Sequence, residues 1–287
     1  MKIFFYRYIY KKTILIGLFL FLTTCSSTSF IYTFVNKYIQ DEITFFLNLD
    51  KEEEVLLSQK VSDMVEWHRT SMLPNYAVFL NKMADKLEEG KYGEADIFLL
   101  LTDGRSLIEE TVIGLTPYAS KFLVEHQMIE DIEFIEKKML MRRQERIMEL
   151  SKSKDILFED RLKKLTSNFE RFFGDLNNSQ MSLLKSHTNL TLNESRIRLH
   201  NRTVRQKVFI RFLKTQPTEL QLTIYLEKLL LRGYLITNPS YKAFSEISLE
   251  RFQKLLVNML AISSEEQRNK IIKKLRDYAK DFKAVSE

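Results

Sequence analysis

One cysteine, four prolines and seven glycines are all that 287 residues hold of the types that most often staple or turn a chain. A lone cysteine excludes an intrachain disulfide and any multi-cysteine metal site, so stability has to come from a packed core. Little glycine or proline means few helix breakers. Apolar residues recur at three- and four-residue steps, without the sustained alternation that marks a strand. No run is long enough to cross a bilayer: Thr13 to Leu22 is about half of the roughly 20 residues a span needs. Motifs of common catalysis are missing too. His68, His126, His187 and His200 are dispersed, and none falls in the His-Glu-x-x-His or Glu-x-x-His spacing that puts ligands on one helical face. There is no glycine-rich phosphate loop and no Gly-x-Ser-x-Gly elbow. The expectation is an all-α protein, not an enzyme, with no metal and no cofactor.

What is present begins at the N-terminus. Four bases, Lys2, Arg7, Lys11 and Lys12, precede the short apolar core, and small polar residues follow it. That order is a secretory signal pattern. The tetrapeptide Leu22-Thr23-Thr24-Cys25 resembles the lipobox of bacterial lipoproteins, with Thr24 where that family prefers Gly or Ala. The resemblance implies a diacylglyceryl group on Cys25, cleavage before it and acylation of the new amine. The covalent lipid on Cys25 would make membrane lipid the first partner, since two or three acyl chains anchor stably where one does not. Ser26, by resemblance to sorted lipoproteins, favours the periplasmic face of the outer membrane. The domain reading is a removed signal over 1–24, a polar tether over 25–29 and a helical domain over 30–287, with two subdomains dividing near 150 as an option.

Charge is uneven once the signal is set aside. The whole chain carries 44 bases and 38 acids. Residues 25–136 hold 9 bases against 21 acids, and residues 137–287 hold 31 against 17. In an envelope protein nucleic acid is an unsuitable partner. The asymmetry points instead to the halves packing on each other, or to anionic lipid or polymer on the basic half. The basic stretch from Glu194 to Thr215 supplies the candidate anion contacts Arg196, Arg202, Arg205 and Lys207.

Breaker and cap signals divide the body into about nine amphipathic helices. A kink or break is expected near Leu73, because Pro74 removes an amide. A second is expected at Asp103-Gly104, and a stop at Gly114, with Pro117 opening the next helix. Leu49 to Glu53, Leu123 to Gln127, Leu176 to Gln180 and Ser263 to Gln267 each place an acid or glutamine where a first turn can use it, the spacing of a capping box. These stretches resemble the Leu-Thr-x-x-Gln motif of small periplasmic helical chaperones.

A second resemblance spans nearly the whole chain. Trp67-His68-Arg69 followed by Leu73-Pro74-Asn75-Tyr76-Ala77, together with the lipobox, Phe172-Phe173-Gly174 and the stretch from Gln267 to Phe282, is similar to an uncharacterised bacterial family of all-helical envelope lipoproteins. It implies helical architecture, lipidation and no established activity. Trp67, His68, Arg69, Pro74 and Tyr76 are the candidate binding residues, as a polar groove at the Pro74 kink or as packing, with Arg69 paired to Glu66 or Asp63. The functional expectation is a lipid-anchored binding or scaffolding protein whose partner is an envelope protein, lipid or polymer. The alternative is an ATP-independent periplasmic chaperone, and a third reading is an enzyme without a recognisable motif.

Overall fold

The computed structural model describes residues 27–287; the expected signal segment and Cys25 lie outside the described residues. Eleven α-helices, one π-helical turn and one 3-10 turn make up the described chain, with no strand among the described residues. They are α1 (Ser27–Phe46), α2 (Lys51–Trp67), a π turn (His68–Met72), α3 (Leu73–Glu88), α4 (Glu94–Leu123) and α5 (Ile129–Leu150). There follow α6 (Lys154–Phe173), α7 (Asn178–Thr191), α8 (Glu194–Leu213), α9 (Glu219–Arg232), a 3-10 turn (Gly233–Leu235), α10 (Tyr241–Ala261) and α11 (Glu265–Ser286). The all-α expectation holds. Helix α1 already begins at Ser27, inside the stretch read as a tether.

Local chemistry sets most of the ends. Asp50 with Glu53, Asn177 with Gln180, Thr218 with Gln221 and Ser264 with Gln267 form complete capping boxes at α2, α7, α9 and α11. Each closes two backbone donors that the first turn leaves open. Leu123–Gln127 opens no helix. It runs from the last residue of α4 into the gap before α5, where the Gln127 amide donates to the Pro217 carbonyl at 3.0 Å. The glutamines of two boxes also meet: the side-chain amides of Gln180 and Gln267, both buried, donate to each other at 2.9 and 3.0 Å. That reciprocal pair ties the start of α7 to the start of α11.

Helix α4 departs most from the sequence reading. It runs for 30 residues, about 45 Å, through Asp103-Gly104, Gly114 and Pro117 without interruption. Both glycines are seats for rings. A Cβ at Gly104 would stand 3.2 Å from the Phe79 ring, and one at Gly114 would stand 1.9 Å from Cη2 of Trp67. Packing against α2 and α3 therefore outweighs the roughly 1 kcal/mol that glycine costs a helix. Pro117 gives no amide to the Ile113 carbonyl. The buried Thr116 hydroxyl donates to that carbonyl instead, at 2.9 Å.

The core forms two clusters. The first joins Leu57, Val61 and Val65 of α2 to Phe122 of α4, Ile132 and Ile135 of α5, Phe209 and Leu213 of α8, and Leu222 of α9. The second joins Ala84 of α3, Ile97 and Leu100 of α4, Phe169 of α6, Leu184 of α7, Met259 of α10 and Leu275 of α11. Each draws on both sides of residue 150, so the core does not divide there. Two rods cross from one cluster to the other: α4, and the continuous run of α2, π turn and α3. The π turn sits at the crossing.

Candidate functional site

The residues singled out around Trp67 meet at that crossing. The chain does not stop near Leu73, but the regular α-helix is disturbed just before it. The helix continues through a π turn in which the Leu73 amide donates to the His68 carbonyl, five residues back. A widened turn is common at functional or strained positions, and here it makes room ahead of Pro74, whose ring would press on the Thr70 carbonyl in a regular helix. Trp67 leaves the group and lies half-buried on Gly114 and beside Tyr118 of α4. His68, Arg69 and Tyr76 turn toward α1 and α11.

There the polar groups are paired among themselves. His68 Nδ1 and the Tyr32 hydroxyl lie 2.5 Å apart, with the rings stacked at 14°. Tyr76 packs 5.7 Å from the His68 ring and 6.2 Å from Phe282, and its hydroxyl bonds to Thr111. Arg69 donates twice to Glu66, at 2.9 and 2.8 Å, and once to the Val285 carbonyl at 2.8 Å. Burial, reinforced by Tyr76 and opposed by Arg69, pushes the Tyr32 phenol up to about 12. Burial holds the His68 imidazole below its ordinary value, which favours the neutral ring. This is a clasp joining α1, the π turn, α3, α4 and α11. Tyr32, Thr111 and Phe282 went unnoticed in the sequence, since only folding brings them near His68.

The four basic candidates on α8 separate. Arg205 donates to the Leu229 and Leu230 carbonyls at the end of α9, in space that Gly233 leaves open. Arg196 donates to the Leu150 carbonyl at the end of α5, at 2.8 Å. Both guanidiniums thus meet the negative ends of neighbouring helix dipoles. Arg202 and Lys207 are exposed. On the same helix the carboxylate of Glu194, with 5% of its side chain exposed, accepts from Arg198 at 3.0 Å, Arg251 at 3.1 Å and Ser248 at 2.8 Å. Burial pushes the Glu194 carboxyl up, but these bonds outweigh it and hold the group below the usual carboxylate range. The halves also pair across the molecule, with Arg276 of α11 bridging to Asp85 and Glu88 of α3 at 2.9 and 2.7 Å.

One broad concave feature is apolar. An open groove of about 800 Å³ runs between α3, α4 and α10, lined by Phe79, Met83, Leu101, Ile108, Leu249 and Phe252, with Arg105 and Arg198 at its edge. A second hollow of about 380 Å³ continues it over α6 and α11. The two share Met83, Ile97, Leu100, Phe252 and Leu256. No sequence signal marked this groove, because its residues sit on ordinary amphipathic stripes that the neighbouring helices leave partly uncovered. Among the described residues, no group of three or more His, Cys, Asp or Glu is placed to hold a metal, and no helix is long and apolar enough to cross a membrane.

No curated protein and no solved structure matches the chain. Residues 45–242, from the end of α1 to the start of α10, match the model of a family of unknown function, DUF6279. That segment covers more than half of the chain, and the protein belongs to this family.

Proposed function

We propose that the protein is a lipid-anchored binding protein of a bacterial cell envelope, tethered through Cys25 on the periplasmic side of the outer membrane and acting by binding, not catalysis. The observation that carries the binding role is the open apolar groove over α3, α4 and α10 and its continuation over α6 and α11. The two hollows together exceed the roughly 300–1,000 Å³ of a small-molecule site. They fit an amphipathic segment of an envelope protein, laid with its apolar face in the groove. Arg105 and Arg198 line the groove but are already paired, with Glu109 at 3.3 Å and Glu194 at 3.0 Å, so recognition rests on the apolar lining. The same groove supports a second reading, a chaperone that shields unfolded chains. An aggregation assay with unrelated unfolded proteins separates the two, since a dedicated binder leaves them unprotected.

The anchor has its own test. Leu22-Thr23-Thr24-Cys25 ends one residue short of the described helix α1. Cys25→Ala is expected to abolish acyl labelling and release the protein from the membrane fraction; labelling and attachment that survive the substitution contradict it.

A further inference from the structure

A different surface carries charge. The turn after α5 and the junction of α7 with α8 face each other across a cleft of about 520 Å³ that shares no residue with the apolar groove. Six cations line it, Arg146, Lys152, Lys154, Arg161, Lys164 and Arg196, against the two carboxylates of Glu149 and Asp160. Both carboxylates are already engaged, Glu149 by Arg146 and Asp160 by Lys152 at 2.9 Å. The nearby Glu194 is committed to Arg198 and Arg251.

Arg161 is the telling side chain. Half-buried on α6, it donates to the Thr191 hydroxyl at 2.7 Å and the Ser195 hydroxyl at 3.3 Å, which orient the guanidinium but carry no charge. Among the described residues no carboxylate stands within ion-pair distance of it. Burial weakens its hold on the proton, Glu194 restores part of that hold and Arg198 weakens it again. A partly desolvated cation without a counter-ion is costly, and an oxyanion in the cleft offsets that cost. The backbone adds to the same field. Lys154, the first residue of α6, and Ser195, in the first turn of α8, both line the cleft, and Asn193 caps α8 without a side-chain bond. Helix N-termini favour anions.

We propose that this cleft binds a phosphoryl group, with Arg161 as the fixed fork and Lys154 and Lys164 as mobile point charges. A guanidinium fork matches phosphate oxygens two at a time, and lysines supply charge without fixed geometry. The cleft's excess of positive charge suits a group that carries more than one negative charge. The source is a soluble phosphate compound or the headgroup of an anionic lipid, and the two are separable by experiment. The site stands independently of the groove, so either can fail alone.

The test is protection of Lys154 and Lys164 from amine acylation, read by mass spectrometry on the full chain, with exposed Lys283 as internal control. In one arm the protein is held in neutral detergent and pyrophosphate is added. In the other it sits in phosphatidylcholine vesicles with or without phosphatidylglycerol. Protection of both lysines but not Lys283 is expected: in the vesicle arm if the source is a headgroup, in the detergent arm alone if it is soluble phosphate. Arg161→Gln keeps hydrogen bonding to the two hydroxyls but removes the charge, and is expected to raise the half-protecting concentration at least roughly tenfold. Lys164→Gln lies on the exposed surface, keeps the fold intact, and is expected to raise it a few-fold. Absence of protection in both arms overturns the proposal. So does protection that chloride reproduces at equal ionic strength, or that both variants retain unchanged.

Discussion

Single residues inside α4 hold the two rods together, and their roles run against their helix propensities. Trp67, the one tryptophan, lies on Gly114 so closely that a Cβ there would stand 1.9 Å from the indole. Gly114→Ala would gain helix propensity, yet the overpacked contact is expected to cost a net of about 1–3 kcal/mol. Urea denaturation measures the loss, and Trp67 emission reports the displaced ring in the folded protein. An unchanged midpoint with unchanged emission would show that the indole has room it does not need. Pro117 teaches the same lesson from the other side, because the Thr116 hydroxyl supplies the donor that proline lacks. Glycine and proline read from sequence alone predict a break at 104, a stop at 114 and a new helix opening at 117. Their partners, Phe79, Trp67 and Thr116, decide otherwise, and two of the three come from other helices.

At the scale of elements, helix ends were legible and helix meetings were not. Asp50, Asn177 and Ser264 cap where their spacing to Glu53, Gln180 and Gln267 says they should, because a cap is satisfied within four residues. Leu123–Gln127 has comparable spacing and caps nothing, since its glutamine is drawn to the Pro217 carbonyl 90 positions away. Trp67, His68 and Arg69 were legible as an unusual stretch, while the π turn and the clasp with Tyr32, Tyr76, Thr111 and Phe282 depend on contacts between helices. The clasp carries a pH dependence. Burial holds the His68 imidazole below its ordinary 6.5, so the unfolded chain takes up the proton more readily than the folded one. Stability is therefore present above about 6.5 and declines as pH falls toward the folded value. His187 is lowered as well, by burial first and then by Arg161, and acts in the same direction. Thermal melts between about pH 7.5 and about pH 5.5 are expected to show a falling midpoint, with a smaller fall in His68→Gln and part of the fall left to His187. An equal fall in wild type and His68→Gln would remove His68 from the account.

For the whole molecule, charge asymmetry along the chain becomes contact between helices. The last turn of α3, with Asp85 and Glu88, runs beside basic α11, where Arg276 meets both carboxylates. Basic α8 sends Arg196 and Arg205 to the carbonyl ends of α5 and α9. Much of the basic half is thus committed internally. Lys154, Arg161 and Lys164 keep charge that no carboxylate within ion-pair distance answers among the described residues. Apolar surface follows the same logic: two cores close around the crossing rods, and the face between α3, α4 and α10 stays open. Composition and period made the all-α architecture readable. The groove was not readable, because exposure of an apolar stripe depends on which helices pack over it.

The binding role rests on that groove, and photo-crosslinking from within it in intact cells is the most direct measurement. A photoreactive residue is placed at Phe252, an exposed lining residue of the groove, and as a control at Leu220, an exposed position on α9. Phe252 is expected to capture one defined envelope protein through a segment that mass spectrometry identifies as amphipathic. Leu220 is expected to capture none. Ile108→Asp, a charge placed on an exposed lining position, is expected to abolish the product while leaving the fold intact. Capture of many unrelated chains, equal capture from Leu220, or a product that survives Ile108→Asp would contradict a dedicated binding groove.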